Sequence, residues 1–254
     1  MSISPVILSL ETATMGGSVF VGRGKLQLAA RNGDPQVSQS NSLLRDIDAT
    51  LAEAGLSLQD VDLLACASGP GSFTGLRIGI ATLKALAVTL DRPCAGIPTL
   101  TAVAHAAGPS IATVALLPAG RGELFAQMFS VSDDDTVTQI DSAAHLSPQK
   151  LVEKYAGLKD LTWAGSGAHQ HRKFLEDYAQ QLGIAFSEDL PDSPDNARQQ
   201  GDNVWRLAPK ETNLALHVAA LALQLFERGE VQSAHSVHAI YVRPSDAELK
   251  QQCR

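Results

Sequence analysis

Gly69-Pro70-Gly71-Ser72-Phe73-Thr74-Gly75-Leu76-Arg77-Ile78-Gly79 lies between an apolar run, Val61 to Ala67, and a stretch without helix breakers that reaches Leu90. The run reads as a strand covered on both faces, and the stretch reads as a helix. Strand, glycine-rich turn and helix in succession make this an α/β protein. At a helix start the N–H groups are unpaired and the dipole is positive, and glycines let the backbone approach an anion. A Walker loop would need a Lys before Ser/Thr at the helix start, and none is there. The dinucleotide fingerprint is spaced G-x-G-x-x-G, whereas this string is G-x-G-x-x-x-G. Two readings stay open. Gly69, Gly71, Ser72, Phe73, Thr74, Gly75 and Arg77 contact a phosphate or a partner, or they form a tight strand-to-helix turn with Thr74 as N-cap.

The helix beyond the turn is apolar on more than one face. Leu76, Ile78, Ile80, Leu83, Leu86, Val88 and Leu90 wind round it, and Lys84 is the only charge between Arg77 and Asp91. Such a helix is buried in its own fold or against another chain. Gly75 and Gly79, four apart, allow close contact on one face. Gly75, Leu76, Ile78, Gly79, Ile80, Leu83 and Leu86 are therefore the candidate interface.

Upstream, strands are expected over Val6–Leu10, Ser18–Val21 and Lys25–Ala30, then a helix over Asn41–Ala54. Downstream come a short strand to Ile97, a helix from Leu100 to Ala107, and the break Gly108-Pro109-Ser110. A second cycle follows: strands at Thr113–Leu117, Glu123–Ser130 and Val137–Asp141, a helix from Ser147 to Tyr155, a strand at Leu161–Ala164 and a helix over Lys173–Leu182. Both halves read strand, strand, strand, helix, strand, helix, so the chain divides into 1–108 and 109–254. Ser187 to Pro209 reads as a polar surface loop. Asn213 caps a helix running to Arg228, which either stays with the second half or packs back on the first, and a short strand is expected over Ala239–Val242.

Bulk composition narrows the function. The 254 residues carry a formal net charge of −7, which repels nucleic-acid backbones. The three cysteines fit no metal spacing, and Cys66 reads as a small core residue in a reducing compartment. Met1 to Pro5 lacks a basic leader, and no stretch reads as the ~18 to 20 apolar residues that span a bilayer. A cytoplasmic protein without a membrane partner is expected.

Several strings together resemble the TsaB (YeaZ) family: Ile7-Leu8-Ser9-Leu10-Glu11-Thr12-Ala13-Thr14, Gly69 to Gly79, Gly96-Ile97-Pro98-Thr99-Leu100, Gly122-Glu123-Leu124-Phe125 and Tyr241-Val242-Arg243. The likeness covers about 1–130 and then the final Tyr-x-Arg. It implies two actin-like, Hsp70-like (ribonuclease H-like) domains with mixed sheets flanked by helices. It also implies a non-catalytic scaffold that holds and activates the TsaD transferase in forming N6-threonylcarbamoyladenosine beside the anticodon of tRNAs. The ATPase TsaE would join, the chain alone would form a homodimer, and tRNA would be met indirectly. The chain itself would need no cofactor, with ATP or ADP and Mg²⁺ entering at the level of the complex. Glu11, Thr12 and Thr14 would form a degenerate nucleotide cleft. Glu11 stands where the family has Asp, Gln39 where it has His, and Pro118 and Gly120 where it has Asp and Arg.

Other chemistry is thinly supported. No G-x-S-x-G elbow or H-E-x-x-H motif is present. His169 and His171 read as a surface helix start, and Asp133-Asp134-Asp135 as a solvated turn. Glu11 reads either as a general base or as a strand-end carboxylate accepting bonds from the turn after it. No catalytic residue and no metal ligand is assigned. The alternative function is an independent small-molecule kinase or ATPase of the actin-like superfamily.

Overall fold

β1 (Val6–Glu11) is buried at every position, so both faces of its sheet must be covered. In the computed structural model, which describes residues 4–188 and 203–242, β1 is the centre of a five-stranded sheet. Its order is β3-β2-β1-β4-β5, with β2 (Ser18–Arg23), β3 (Leu26–Asn32), β4 (Leu63–Gly69) and β5 (Cys94–Pro98). β1 pairs antiparallel with β2 and parallel with β4, β2 pairs antiparallel with β3, and β4 parallel with β5. Val6, Leu8, Leu10, Val19, Val21, Leu64 and Cys66 join one core with α1 (Gln39–Glu53) and α2 (Phe73–Leu90).

The alternate strand positions, among them Ser9 and Ser18, meet α7 (Leu214–Glu227). The Ser9 hydroxyl donates to the Ala215 carbonyl at 2.6 Å, and Ala215 N–H donates to the Ser18 hydroxyl at 3.0 Å. α7 packs on β1, β2, β4 and β5. Its N-cap Asn213 accepts from Leu216 N–H and donates to the Arg31 carbonyl. By contacts the chain up to Ala102 and Asn213–Tyr241 form one unit, and Val103–Thr212 belong to another. The division falls inside α3 (Thr99–Ala106), ahead of the Gly108 turn.

The second unit repeats the pattern. Its sheet runs β11-β12-β10-β6-β7-β8, with β9 on β7. The strands are β6 (Ser110–Gly120), β7 (Glu123–Val131), β8 (Val137–Gln139), β9 (Ala144–Leu146), β10 (Asp160–Ala164), β11 (Ala185–Ser187) and β12 (Val204–Leu207). β8, β7, β6, β10 and β12 match β3, β2, β1, β4 and β5 in order and direction. α4 (Pro148–Tyr155), α5 (Ser166–Gln170) and α6 (Arg172–Gln181) complete the unit. Its core centres on Trp163 and Trp205, edge to face at 5.1 Å, with Tyr178 stacked on Trp205 at 6.3 Å. The Trp205 indole N–H donates to the Leu158 carbonyl, which satisfies the polar end of a fully buried ring.

The structure corrects four expectations. Val204–Leu207, read as loop, is a strand buried at every position; the intervening 189–202 lie outside the described residues. No strand forms over Ala239–Val242, where Ile240 N–H makes one backbone bond, to Ser68. Arg243 and Cys253 lie outside the described residues. His169 and His171 are half-buried rather than on the surface, and burial holds His171 below the usual imidazole range. Finally, α2 does have the length and apolar composition to cross a bilayer, but one face of it is embedded in the first unit's core.

Candidate functional site

The glycine-rich turn caps β4 and opens α2. The N-cap is Ser72 rather than Thr74: its hydroxyl accepts from Gly75 N–H at 3.2 Å, satisfying one of the first-turn donors. Ser72 N–H donates to the Ala13 carbonyl at 2.7 Å, and Gly69 N–H to the Thr99 hydroxyl at 3.0 Å. The Gly69–Pro70 peptide is cis.

Each glycine of the string faces the protein itself. A Cβ on Gly71 would stand 2.5 Å from the Ala13 carbonyl oxygen and 2.7 Å from the Ala13 Cβ. On Gly69, Gly75 and Gly79 it would come within 3.0 Å of the Ile240 carbonyl oxygen, the Thr12 carbonyl oxygen and Thr12 Oγ1. Thr12 Oγ1 in turn donates to the Gly75 carbonyl at 2.8 Å. The glycines let α2 lie directly on the turn that follows β1. The carbonyl oxygens faced by Gly69, Gly71 and Gly75 would repel a phosphate rather than hold it.

Beside this contact lies a small hollow between the β1–β2 turn and α1, lined in part by Glu11, Thr12, Ser18, Gln39, Ser42 and Asp46. Glu11 is 1% exposed. One of its oxygens accepts from Thr14 N–H at 2.8 Å and the other from the Thr14 hydroxyl at 2.5 Å, as expected of a strand-end carboxylate. Gln39 donates to the Thr14 carbonyl at 3.1 Å, which ties α1 to the turn. Glu11, Thr12 and Thr14 are thus brought together and bonded to the turn and to α2. They do not fit a metal-bound phosphate, which would have to displace Thr14. No group of three His, Cys, Asp or Glu side chains able to hold a metal occurs among the described residues. Asp46 is spaced from Gln39, Ser42 and Leu43 so that all four lie on the same face of α1.

The corresponding turn of the second unit is Gly120-Arg121-Gly122 at the tip of the β6–β7 hairpin. All three have positive φ (80°, 53° and 77°), and a Cβ on either glycine would meet open space. Pro118 pairs with Leu124 and is exposed. The glycines of this tip are open, unlike those packed on the turn after β1.

The candidate interface residues separate into two groups. Gly75, Leu76, Gly79, Ile80 and Leu83 are buried in their own unit, so they are core and not surface. Ile78 and Leu86 are partly buried. Toward solvent α2 turns Thr74, Arg77, Ala81, Ala85 and Val88, the last 65% exposed. At the N-terminal end of this face the Arg77 guanidinium lies over the Phe73 ring, 3.8 Å from its centroid.

A sheet of order 3-2-1-4-5 with an antiparallel first hairpin, repeated in a second unit, defines an actin-like α/β protein of two domains. A family model described as TsaD, tRNA N6-adenosine threonylcarbamoyltransferase, matches residues 36–234. A protein of Haemophilus influenzae called tRNA threonylcarbamoyladenosine biosynthesis protein TsaB is 41% identical over 102 residues, 40% of this chain and 42% of that one. Its namesake from Escherichia coli is 29% identical over 151 residues, 58% of this chain and 65% of that one. The matches therefore span less than two thirds of these relatives' lengths. The solved structure of YeaZ from Pseudomonas aeruginosa covers 93% of this chain and 99% of its own, at a TM-score of 0.68 and 24% identity, a likeness of fold. The chain belongs to the TsaD family and, within it, to the TsaB (YeaZ) group.

Proposed function

We propose that this chain is a non-catalytic scaffold in the formation of N6-threonylcarbamoyladenosine on tRNA. It holds and activates the TsaD transferase, with TsaE joining, and it pairs with a second copy when alone. The single observation that carries this reading is the outer face of α2. A helix that buries one side in its own core still turns Ala81, Ala85 and Val88 to solvent, and small and branched apolar residues in register favour close packing against another helix. The acidic chain would meet tRNA through its partner, in the cytoplasm, and ATP or ADP with Mg²⁺ would enter with the complex rather than with this chain.

An independent kinase or ATPase is not favoured. Glu11 is bonded to Thr14, Gly69, Gly71 and Gly75 face carbonyl oxygens, and a side chain built on Gly120 or Gly122 would meet no neighbour. The test is a pull-down with light scattering against TsaD from the same source, with and without ATP. A stoichiometric complex and a homodimer of the free chain support the scaffold. No complex in either condition overturns it.

A further inference from the structure

The chain beyond α7 returns to the glycine-rich turn. Val237 is 1% exposed, and its Cγ1 lies 2.9 Å from where a Cβ on Gly96 would stand. Ile240 N–H donates to the Ser68 carbonyl at 2.7 Å, at the end of β4. The Ile240 carbonyl rests against Gly69, where no side chain would fit. Tyr241 packs on Phe73 with ring centroids 5.1 Å apart and planes tilted by 41°. Arg77 lies on the same Phe73 ring. Yet Ile240 is 38% and Tyr241 47% exposed. Among the described residues, one backbone bond and one ring contact hold this end of the segment, which places it among the parts of a fold that open locally.

We propose that Val237–Tyr241 is a latch on the glycine-rich turn, and that Tyr241, Phe73 and Arg77 relay its seating to the outer face of α2. Phe73 is the first residue of α2, so fixing its ring against Tyr241 fixes the surface on which the Arg77 guanidinium lies. A guanidinium held flat at the rim of a docking face meets a carboxylate partner without first losing its rotamer freedom. With the latch released, Phe73 and Arg77 move independently and the first turn of α2 frays. The coupling to docking rests on the function proposed above, whereas the latch itself does not.

Amide hydrogen exchange on the intact chain tests the latch. The reporters are Ser72, Gly75 and Leu76, whose N–H groups are bonded to Ala13, Ser72 Oγ and the Ser72 carbonyl. In Tyr241→Ala, and separately in Ile240→Pro, which removes the donor to Ser68, these amides exchange on the order of tenfold faster. α7 and the second unit keep their rates, and Val88→Ala leaves the reporters unchanged. Unaltered exchange in both tail variants overturns the latch. TsaD capture tests the coupling: Tyr241→Ala weakens it on the order of tenfold, and Tyr241→Phe, which keeps the ring, restores it. Equal capture by wild type and Tyr241→Ala overturns the coupling. If wild type itself captures no TsaD, the scaffold reading falls, and exchange alone decides the latch.

Discussion

Replacing Gly79 by Ala sets two quantities of known sign against each other. In a helix interior Ala is favoured over Gly by roughly 1 kcal/mol. At Gly79, however, the new Cβ would fall within 3.0 Å of Thr12 Oγ1, with Thr12 Cβ and Cγ2 both at 3.3 Å. Thr12 is 1% exposed and its hydroxyl is bonded to the Gly75 carbonyl, so it cannot swing away. Overpacking of this kind costs about 3 kcal/mol at the upper end, leaving a net loss of ~2 kcal/mol after the propensity gain. Thr12→Ala removes the hydroxyl and methyl, so Gly79→Ala in that background becomes neutral or stabilising. The coupling in the double-mutant cycle should be ~2 to 3 kcal/mol. Gly75→Ala is the internal control. Its Cβ meets the Thr12 backbone carbonyl, which no side-chain change removes, so its cost is the same in both backgrounds. The assay is urea unfolding followed by circular dichroism. A stabilising Gly79→Ala in the wild-type background, or equal rescue of Gly75→Ala, would refute the account of the glycines as spacers for Thr12.

Asp141 accepts from Met128 N–H at 2.7 Å, the Tyr155 hydroxyl at 2.8 Å and Lys154 at 2.6 Å; Asp141→Ala leaves a buried phenol unpaired and should cost about 2 kcal/mol in the same unfolding assay. Burial first, and then the bond to Asp141, raise the Tyr155 phenol above its ordinary value. The folded state thus favours the neutral phenol: its contribution is complete below the unfolded value of about 10 and is lost as pH rises beyond it. Tyr155→Phe should flatten that alkaline fall in urea midpoint. Burial pushes the Cys66 thiol up to about 12, so iodoacetamide at pH 8 should leave it unmodified in the native chain and label it in urea, read by peptide mass. Val88→Asp and Ala81→Asp should abolish TsaD capture and homodimer formation with the unfolding midpoint unchanged. Ile80→Asp, at a position 8% exposed within the core, should instead lower the midpoint.

Much of the fold could be read from one-dimensional patterns. Val6 to Glu11 and Leu63 to Gly69 are apolar runs closed by turn residues, and the order of strands and helices repeats. β12 was hidden because its four residues, Val-Trp-Arg-Leu, include a buried Arg206 paired with Asp160. A charge inside a strand looks like loop until its partner from another strand is known. The site was less legible for a similar reason. Spacing shows that Gly71, Gly75 and Gly79 need room, but the atoms that need it belong to Thr12 and Ala13, remote in sequence. A glycine facing a phosphate and a glycine facing a carbonyl leave the same letter. The N-cap moved from Thr74 to Ser72 because the helix begins at Phe73, two residues before the glycine that would have marked its first turn. Asp46 gives no such signal, because Glu11, which lines the same hollow, lies on a different element.

α7 covers one face of the first unit's sheet, yet it is made after Val103–Thr212 of the second. The chain from Val103 to Thr212 separates it from the sheet it covers. At translation rates of ~5 to 20 residues per second, the ribosome needs roughly 5 to 20 s to cross that interval. Until then Ser9 and Ser18 lack the Ala215 groups they bond, and one face of the sheet lacks its helix. The order of synthesis therefore departs from the usual N-to-C order of folding: Val103–Thr212 of the second unit are already made while the first still waits for α7. A nascent chain halted before Asn213 would expose an apolar sheet face, a substrate for chaperones rather than for a partner.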